Sequence, residues 1–154
     1  MTGAHELLAL CLLCAAPFGA VIAAAQAPDA AESEGIIFER QHIMMQLGRD
    51  SELLGRIAAG TELAAKLPQA TRTIAVGARE ALESYRDQIP GGHTKAVAWS
   101  NYSDFMQRMD AFACNADAMA AAGERGDMTG VMGLMVDALP CKQGHDVYRA
   151  RKTA

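Results

Sequence analysis

Apolar side chains recur every three or four residues along four stretches of this 154-residue chain. That spacing places them on one face of a helix, so each stretch is predicted to form an amphipathic helix. The first helix is expected from about Gly35 to Gly60, and the second from about Pro68 to Tyr85. The third is expected from about Trp99 to Gly123, and the fourth from the capping Asp127 towards Arg151.

The connections between these helices predict how they pack. Only the second connection is long, from Arg86 to Ala98, and it contains Pro90-Gly91-Gly92. The others are short, and Pro140 is expected to bend the fourth helix. No stretch alternates apolar and polar residues as a strand would, so the chain is predicted to be an all-α antiparallel four-helix bundle. In the first helix, the residues expected to face inward are Ile36, Arg40, Ile43, Met44, Leu47, Leu54 and Ile57.

The N-terminal stretch is separate from the bundle. Residues 7–25 are almost unbroken apolar sequence and end in small residues, which predicts a signal peptide cleaved after Ala25. Residues 26–34 are then expected to form a flexible leader, and residues 35–154 the bundle domain. The alternative is a retained membrane anchor, because no Lys or Arg precedes this segment and its length is about enough to span a bilayer. Cleavage would leave no stable anchor and would place the protein in the periplasm.

Charge and motifs exclude several classes of function. The chain carries a formal charge of −4, and removal of residues 1–25 would take away one acid and leave −3. No basic patch suggests a nucleic-acid partner. The sequence also contains no G-x-S-x-G, no Gly-rich phosphate loop and no H-E-x-x-H, so we predict that the protein is not an enzyme.

The segment Cys141-Lys142-Gln143-Gly144-His145 differs by one residue from C-x-x-C-H. In that motif two thiols form thioethers with the haem vinyl groups, and the histidine binds the iron. Gly144 stands where the second thiol is expected. Each thiol reacts with its own vinyl, and one tether still holds haem at high effective concentration. The central question is therefore whether this change abolishes haem attachment or halves it.

Four landmarks in the chain carry a family resemblance. They are Arg40-Gln41-x-x-Met44-x-x-Leu47-Gly48, the pair Trp99 and Phe105, Ala120-Ala121 followed by Gly126-Asp127, and Cys141-x-x-x-His145-x-x-Tyr148-Arg149. In order and spacing they resemble the cytochrome c′ and cytochrome c556 family of periplasmic four-helix-bundle haem proteins. The resemblance covers nearly all of the chain beyond the leader, and Gly144 is its main departure.

The resemblance implies a role for particular residues. His145 would be the proximal ligand of the haem iron and Cys141 a single thioether to haem c. Met44 would face the distal side of the iron, and Arg40 would pair with a haem propionate. Tyr148 and Arg149 would complete the cofactor-binding set. The implied function is one-electron exchange with a redox partner protein or binding of a small gas, and homodimers occur in the family.

Alternatives remain open at this stage. A haem-free bundle could act as a binding or structural module, with Cys114 and Cys141 joined as a disulfide or serving as a dithiol redox sensor. The helical rise predicts an axial offset of about 7–8 Å between these cysteines, near the limit for a bridge. The methionines of the last two helices could instead form a sulfur–metal site with Cys114. Met44 also has a plain alternative as a core-filling side chain.

Overall fold

The computed structural model describes residues 28–139 and 141–151 as a bundle of helices. The predicted signal peptide lies outside these residues. No helix in this part of the chain is long and apolar enough to cross a membrane. The helices are α1 (Ala30–Ala58), α2 (Leu67–Ser84), α3 (Val97–Ser100), α4 (Tyr102–Glu124), α5 (Met128–Ala138) and α6 (Cys141–Tyr148), with a short 3-10 helix at Ala64–Lys66.

The four longer helices pack in sequence order. α1 packs against α2, α2 against α4, and α4 against α5, which confirms the predicted four-helix bundle. The longer crossover also lies where it was predicted, between Ser84 and Val97. The short helices α3 and α6 contact each other. Among the described residues, α1 does not pack extensively against α5 or α6.

Small residues allow α2 and α4 to pack closely. A Cβ atom added at Gly123 would lie 2.1 Å from Oγ1 of Thr71, a distance that no real contact permits. Thr71 itself is fully buried, and its hydroxyl donates to the Leu67 carbonyl at 3.0 Å. Close axes bring many short side chains into van der Waals contact. The buried alanines of the core are Ala70, Ala75, Ala78, Ala81, Ala98, Ala113, Ala116 and Ala122.

The start of α1 corrects the predicted leader. Residues 30–34, expected to be flexible, form the first turns of α1. Asp29 caps them, because its side chain accepts a hydrogen bond from the Glu32 backbone N–H at 2.9 Å. Helical periodicity gave no sign of this start, since the first turns are small, acidic and exposed.

The predicted third and fourth helices are each divided in two. Asn101, with φ −121° and ψ 46°, separates α3 from α4. Leu139, with φ −116° and ψ 52°, ends α5, where the sequence had predicted only a bend. Proline disfavours helical φ and ψ angles in the residue before it, which accounts for the end of α5 at Leu139, just before Pro140. The motif that begins at Cys141 therefore lies on a separate short helix that ends at Tyr148.

Candidate functional site

Cys141 and His145 lie on the same face of α6. They are four residues apart in a regular helix, so their side chains are neighbours on its surface. Both side chains are exposed. Gly144, one residue before His145, is also helical, and an added Cβ there would have no heavy atom within 4 Å. α6 thus presents a thiol and an imidazole together, beside a position with room for a second side chain.

Backbone hydrogen bonds attach the end of α6 to the crossover. Lys95 donates its backbone N–H to the Tyr148 carbonyl at 2.8 Å, and Ala150 donates to the His93 carbonyl at 2.8 Å. On α6 itself, Lys142 and Asp146 form an ion pair one turn apart at 2.7 Å. The crossover therefore helps to set the orientation of the face that carries Cys141 and His145.

Tyr148 anchors α6 to α4. Its buried ring meets the edge of Phe105 with centroids 5.0 Å apart, and its hydroxyl donates to the Asp104 carboxylate. Asp104 also accepts from Nε of Arg108 at 2.7 Å. The hydrogen bonds from Arg108 and then Tyr148 lower the pKa of Asp104, while desolvation and Asp104 raise the pKa of Tyr148.

Tyr148→Phe should change the titration of Asp104 while keeping the ring in place. Loss of one donor is expected to raise the pKa of Asp104 towards its ordinary value. A lowered carboxyl pKa stabilises the native state above the unfolded pKa, and this contribution disappears as pH falls through the folded pKa. The stability difference between the two proteins should thus be largest at neutral pH and shrink below about pH 4. NMR titration and denaturant unfolding measure both effects.

Tyr102→Phe is the matched control. The Tyr102 hydroxyl donates to the carbonyls of Tyr85 and Arg86, both at 3.0 Å, and not to Asp104. Its removal should leave the Asp104 titration unchanged. Identical Asp104 titrations in Tyr148→Phe and the parent would show that the Tyr148 hydrogen bond does not form in solution.

Arg40 is buried and ties α1 to the end of α2. Its guanidinium donates to the carbonyls of Ser84 at 2.8 Å, Asp87 at 2.6 Å and Ile89 at 2.6 Å. Carbonyls at a helix end and in the following turn lack helical partners, and Arg40 supplies donors for them. The guanidinium also lies 4.5 Å from the Tyr85 ring centroid. Burial lowers the pKa of Arg40. The predicted contact with a propionate stays a prediction beside this structural role.

Arg40→Met should destabilise the bundle by about 2–4 kcal/mol, because the carbonyls of Ser84, Asp87 and Ile89 lose the hydrogen bonds from a buried guanidinium. Denaturant unfolding measures the loss. Arg72→Met is the control, since Arg72 is exposed and pairs with Glu124 on the surface. Exposed ion pairs contribute about 0–1 kcal/mol. Equal small losses in both variants would contradict the structural role of Arg40.

Trp99 carries a buried donor without an acceptor. Its Nε1 is the one buried side-chain nitrogen or oxygen in the described part of the chain with no hydrogen-bond partner. The indole ring lies 5.4 Å from the Arg40 guanidinium carbon. A buried N–H is normally paired with a protein acceptor, an ordered water molecule or a ligand.

Met44 lies on α1 one turn beyond Arg40 and is half-buried against the core. Ile37 and Gln41, on the same flank of α1, lie against Gly91 and Gly92 of the crossover. Met44 and His145 are carried by helices that do not pack extensively on each other. Two clefts of about 340 and 370 Å³ lie in the α1–α2 groove, and neither is lined by Met44 or His145.

The two cysteines of the bundle are not bridged. Cys114 on α4 and Cys141 on α6 are both free and exposed, which corrects the alternative of a disulfide between them. Neighbouring protein atoms partly desolvate the Cys141 thiol and raise its pKa, so it is protonated at neutral pH. No group of three or more His, Cys, Asp or Glu side chains in the described ranges could hold a metal ion. A sulfur–metal site made from methionines stays a prediction.

Comparison with known proteins finds similarity in sequence and in fold. The family model described as Cytochrome C′ matches residues 35–149. Ferric cytochrome c prime from Alcaligenes xylosoxidans shares 22% identity and a TM-score of 0.72, covering 80% of this chain and 100% of its own. The nitric oxide complex of a leucine-to-alanine mutant of that protein gives the same values. A further cytochrome c′ structure, with a TM-score of 0.68, shares 22% identity over 76% of this chain and 96% of its own. A search of curated proteins gave no significant match.

Proposed function

The chain belongs to the cytochrome c′ family, and on that premise we propose that it is a periplasmic haem protein that exchanges single electrons or binds a small gas. Haem c would be held by one thioether from Cys141 and by His145 on the iron. The observation that carries this proposal is the shared face of Cys141 and His145 on α6, at the offset of C-x-x-C-H. When bound, haem supplies an iron that changes its charge by one electron and can take a small ligand.

The properties of His145 support iron binding. Desolvation and then the positive charge of Arg149 lower the pKa of its imidazole, so the neutral form prevails at pH 7. Only neutral imidazole has a nitrogen lone pair available for a metal. Tyr148, three residues later, fixes α6 through Asp104 and thereby orients His145. The role proposed for Tyr148 is thus to position the ligand.

The donors near the crossover support recognition of haem carboxylates. The guanidinium carbon of Arg40 lies 5.4 Å from the centroid of the Trp99 ring, whose Nε1–H has no partner among the described residues. A propionate near both residues would accept a hydrogen bond from the indole N–H. It could also pair with the Arg40 guanidinium, which would keep its bonds to the backbone carbonyls. Haem brings two carboxylates that could act as such acceptors.

One expression experiment tests the proposal. The full chain is produced in a bacterial host that has haem-attachment machinery, and the product is run on a denaturing gel stained for haem peroxidase activity. A coloured band that survives denaturation requires a thioether bond. A colourless product that is folded, helical and without Soret absorbance after addition of hemin would favour the haem-free binding module. The family relationship and the fold would stand in either case.

Met44→Ala should open the sixth position of the iron if Met44 coordinates it. We expect a change of the ferric and ferrous spectra towards a high-spin form and faster binding of carbon monoxide. Met45→Ala is a matched control, since the adjacent Met45 side chain is 55% exposed. Spectra and carbon monoxide binding identical to the parent in Met44→Ala would assign Met44 to the core alone.

A homodimer remains part of the proposal. The α1–α2 side of the bundle carries large exposed apolar side chains at Phe38, Met45 and Val76. Burial of such residues between two copies is a common basis of association. Analytical ultracentrifugation of the haem-loaded protein measures the oligomeric state directly.

A further inference from the structure

Basic side chains surround α6, although the chain as a whole is acidic. Two acidic side chains, Asp104 and Asp146, lie among them, which leaves a formal excess of three positive charges. The full sequence carries −4, so the remainder of the chain carries −7. We call this region the basic α6 surface, and its five cationic residues are Lys95, Arg108, Lys142, Arg149 and Arg151.

Contacts hold several of these cations close to α6. Lys95 donates through Nζ to the Asp146 carbonyl at 2.9 Å, and Lys142 pairs with the Asp146 carboxylate at 2.7 Å. Arg151 is exposed and lies three residues beyond the end of α6. Their positive charges therefore act at one place on the surface.

Two further cations extend the same region. Arg149 is exposed and follows α6 directly. Arg108 lies 6.0 Å from the Tyr148 ring centroid and pairs with Asp104. The exposed His145 lies within this group of charges.

Cations on the α2–α4 side of the bundle are arranged differently. Arg72 and Arg79 of α2 each pair with one acid of α4, Glu124 and Asp117 respectively. These one-to-one pairs leave no local excess of positive charge. The basic α6 surface therefore carries an excess of positive charge that these two pairs lack.

Exposed apolar residues accompany the charges. Val147 of α6 is 42% exposed and Val97 of α3 is 36% exposed, and these two helices contact each other. Protein interfaces commonly combine an apolar centre with a polar rim. The carboxylates of Asp104 and Asp146 interrupt the cations. Stable attraction to anionic lipid needs a denser basic cluster, so the observations favour a protein partner.

We propose that the basic α6 surface docks an electron-transfer protein whose own docking surface is acidic. This inference rests on the proposed function, because electron exchange here requires haem iron on His145. Opposite charges steer such partners together and accelerate their encounter at low salt. The overall charge of −4 would produce the opposite effect if it were spread evenly.

Small redox reagents of opposite charge test the local field. The ferrous protein is oxidised by ferricyanide, an anion that accepts the electron and becomes ferrocyanide, and separately by the cation tris(phenanthroline)cobalt(III). Raising ionic strength from about 10 to about 200 mM should slow the ferricyanide reaction about five- to tenfold and accelerate the cobalt reaction. A ferricyanide rate that rises with salt would overturn the proposal.

Charge-reversal variants locate the effect. The triple variant Lys95→Glu/Lys142→Glu/Arg151→Glu should invert both salt dependences. The control Arg49→Glu/Arg56→Glu/Lys66→Glu changes the net charge by the same amount on exposed residues of α1 and the 3-10 helix. It should keep the parent's salt dependence. An equal response of the two triple variants would show that total charge, and not the basic α6 surface, governs the encounter.

A second measurement needs no haem and identifies the class of partner. The parent chain should bind immobilised poly-L-glutamate at low salt, and the α6 variant should lose this binding while the control variant keeps it. Strong co-sedimentation of the parent with phosphatidylglycerol vesicles would assign the surface to a membrane and overturn the protein partner. If the protein shows no Soret absorbance but still binds poly-L-glutamate, the haem proposal is rejected while the binding of acidic partners by the basic α6 surface stands.

Discussion

Cys141→Ser is expected to abolish all covalent attachment of haem. Gly144 offers no thiol, and the other cysteine of the bundle, Cys114, lies on α4. The haem-stained band of the denaturing gel should therefore disappear completely. Haem bound only through His145 should still absorb in the native protein, but it should transfer to excess apomyoglobin, which the thioether of the parent prevents.

Cys114→Ser is the control for this loss, because it removes an exposed thiol of the same type and should leave the stained band unchanged. Thiol titration adds an independent count. The haem-loaded parent should show one reactive thiol beyond residue 25, and the haem-free chain two. A stained band that survives in Cys141→Ser would show that another side chain forms the bond.

Gly144→Cys should produce the opposite effect by adding a second thioether. The position is helical and directly precedes His145, and a Cβ there meets no heavy atom within 4 Å. The substitution also removes a helical glycine, which is less favourable than most residues by several tenths of a kcal/mol. Saturation of the second vinyl shortens the conjugated system, so the pyridine haemochrome band should move to shorter wavelength.

A double variant and a matched control separate this effect from general changes. In Cys141→Ser/Gly144→Cys the new thiol alone should restore a stained band. Gly133→Cys introduces a thiol at another open helical glycine, on α5, and should leave the haemochrome unchanged. An unchanged haemochrome in Gly144→Cys would mean that the second vinyl does not lie beside residue 144.

The fold was predictable because its information is periodic and local. Apolar residues such as Leu47, Leu54 and Ile74 mark buried helical faces, and Pro90 with the two glycines after it indicates the long connection. Helix breaks were less predictable. Each break depends on the φ and ψ angles of one residue, Asn101 or Leu139. The periodic pattern of apolar residues averages over many positions and does not detect such a local change.

The site was predictable only where its residues are close in sequence. The offset between Cys141 and His145 is visible in the chain, and so is the turn between Arg40 and Met44. The acceptors of Arg40 and the partner of Tyr148 are 44 or more residues away, and two of the three Arg40 acceptors lie in an irregular loop. No pattern in the sequence connects such groups. Among the contacts around Tyr148, only the one between Asp104 and Arg108 is local, because these two residues are four positions apart on one helix.

The crossover between α2 and α3 is held at two separate places. Arg40 of α1 donates to its carbonyls at Asp87 and Ile89, and its backbone at His93 and Lys95 is hydrogen-bonded to the C-terminal end of α6 and to the residue that follows it closely, Ala150. The length of chain between Ile89 and His93 is therefore one constraint on the position of the helix that carries the thiol and the imidazole. We expect that adding or deleting a residue there would shift this helix without changing the packing of α1, α2, α4 and α5, so the crossover is a place to vary the position of Cys141 and His145 by design.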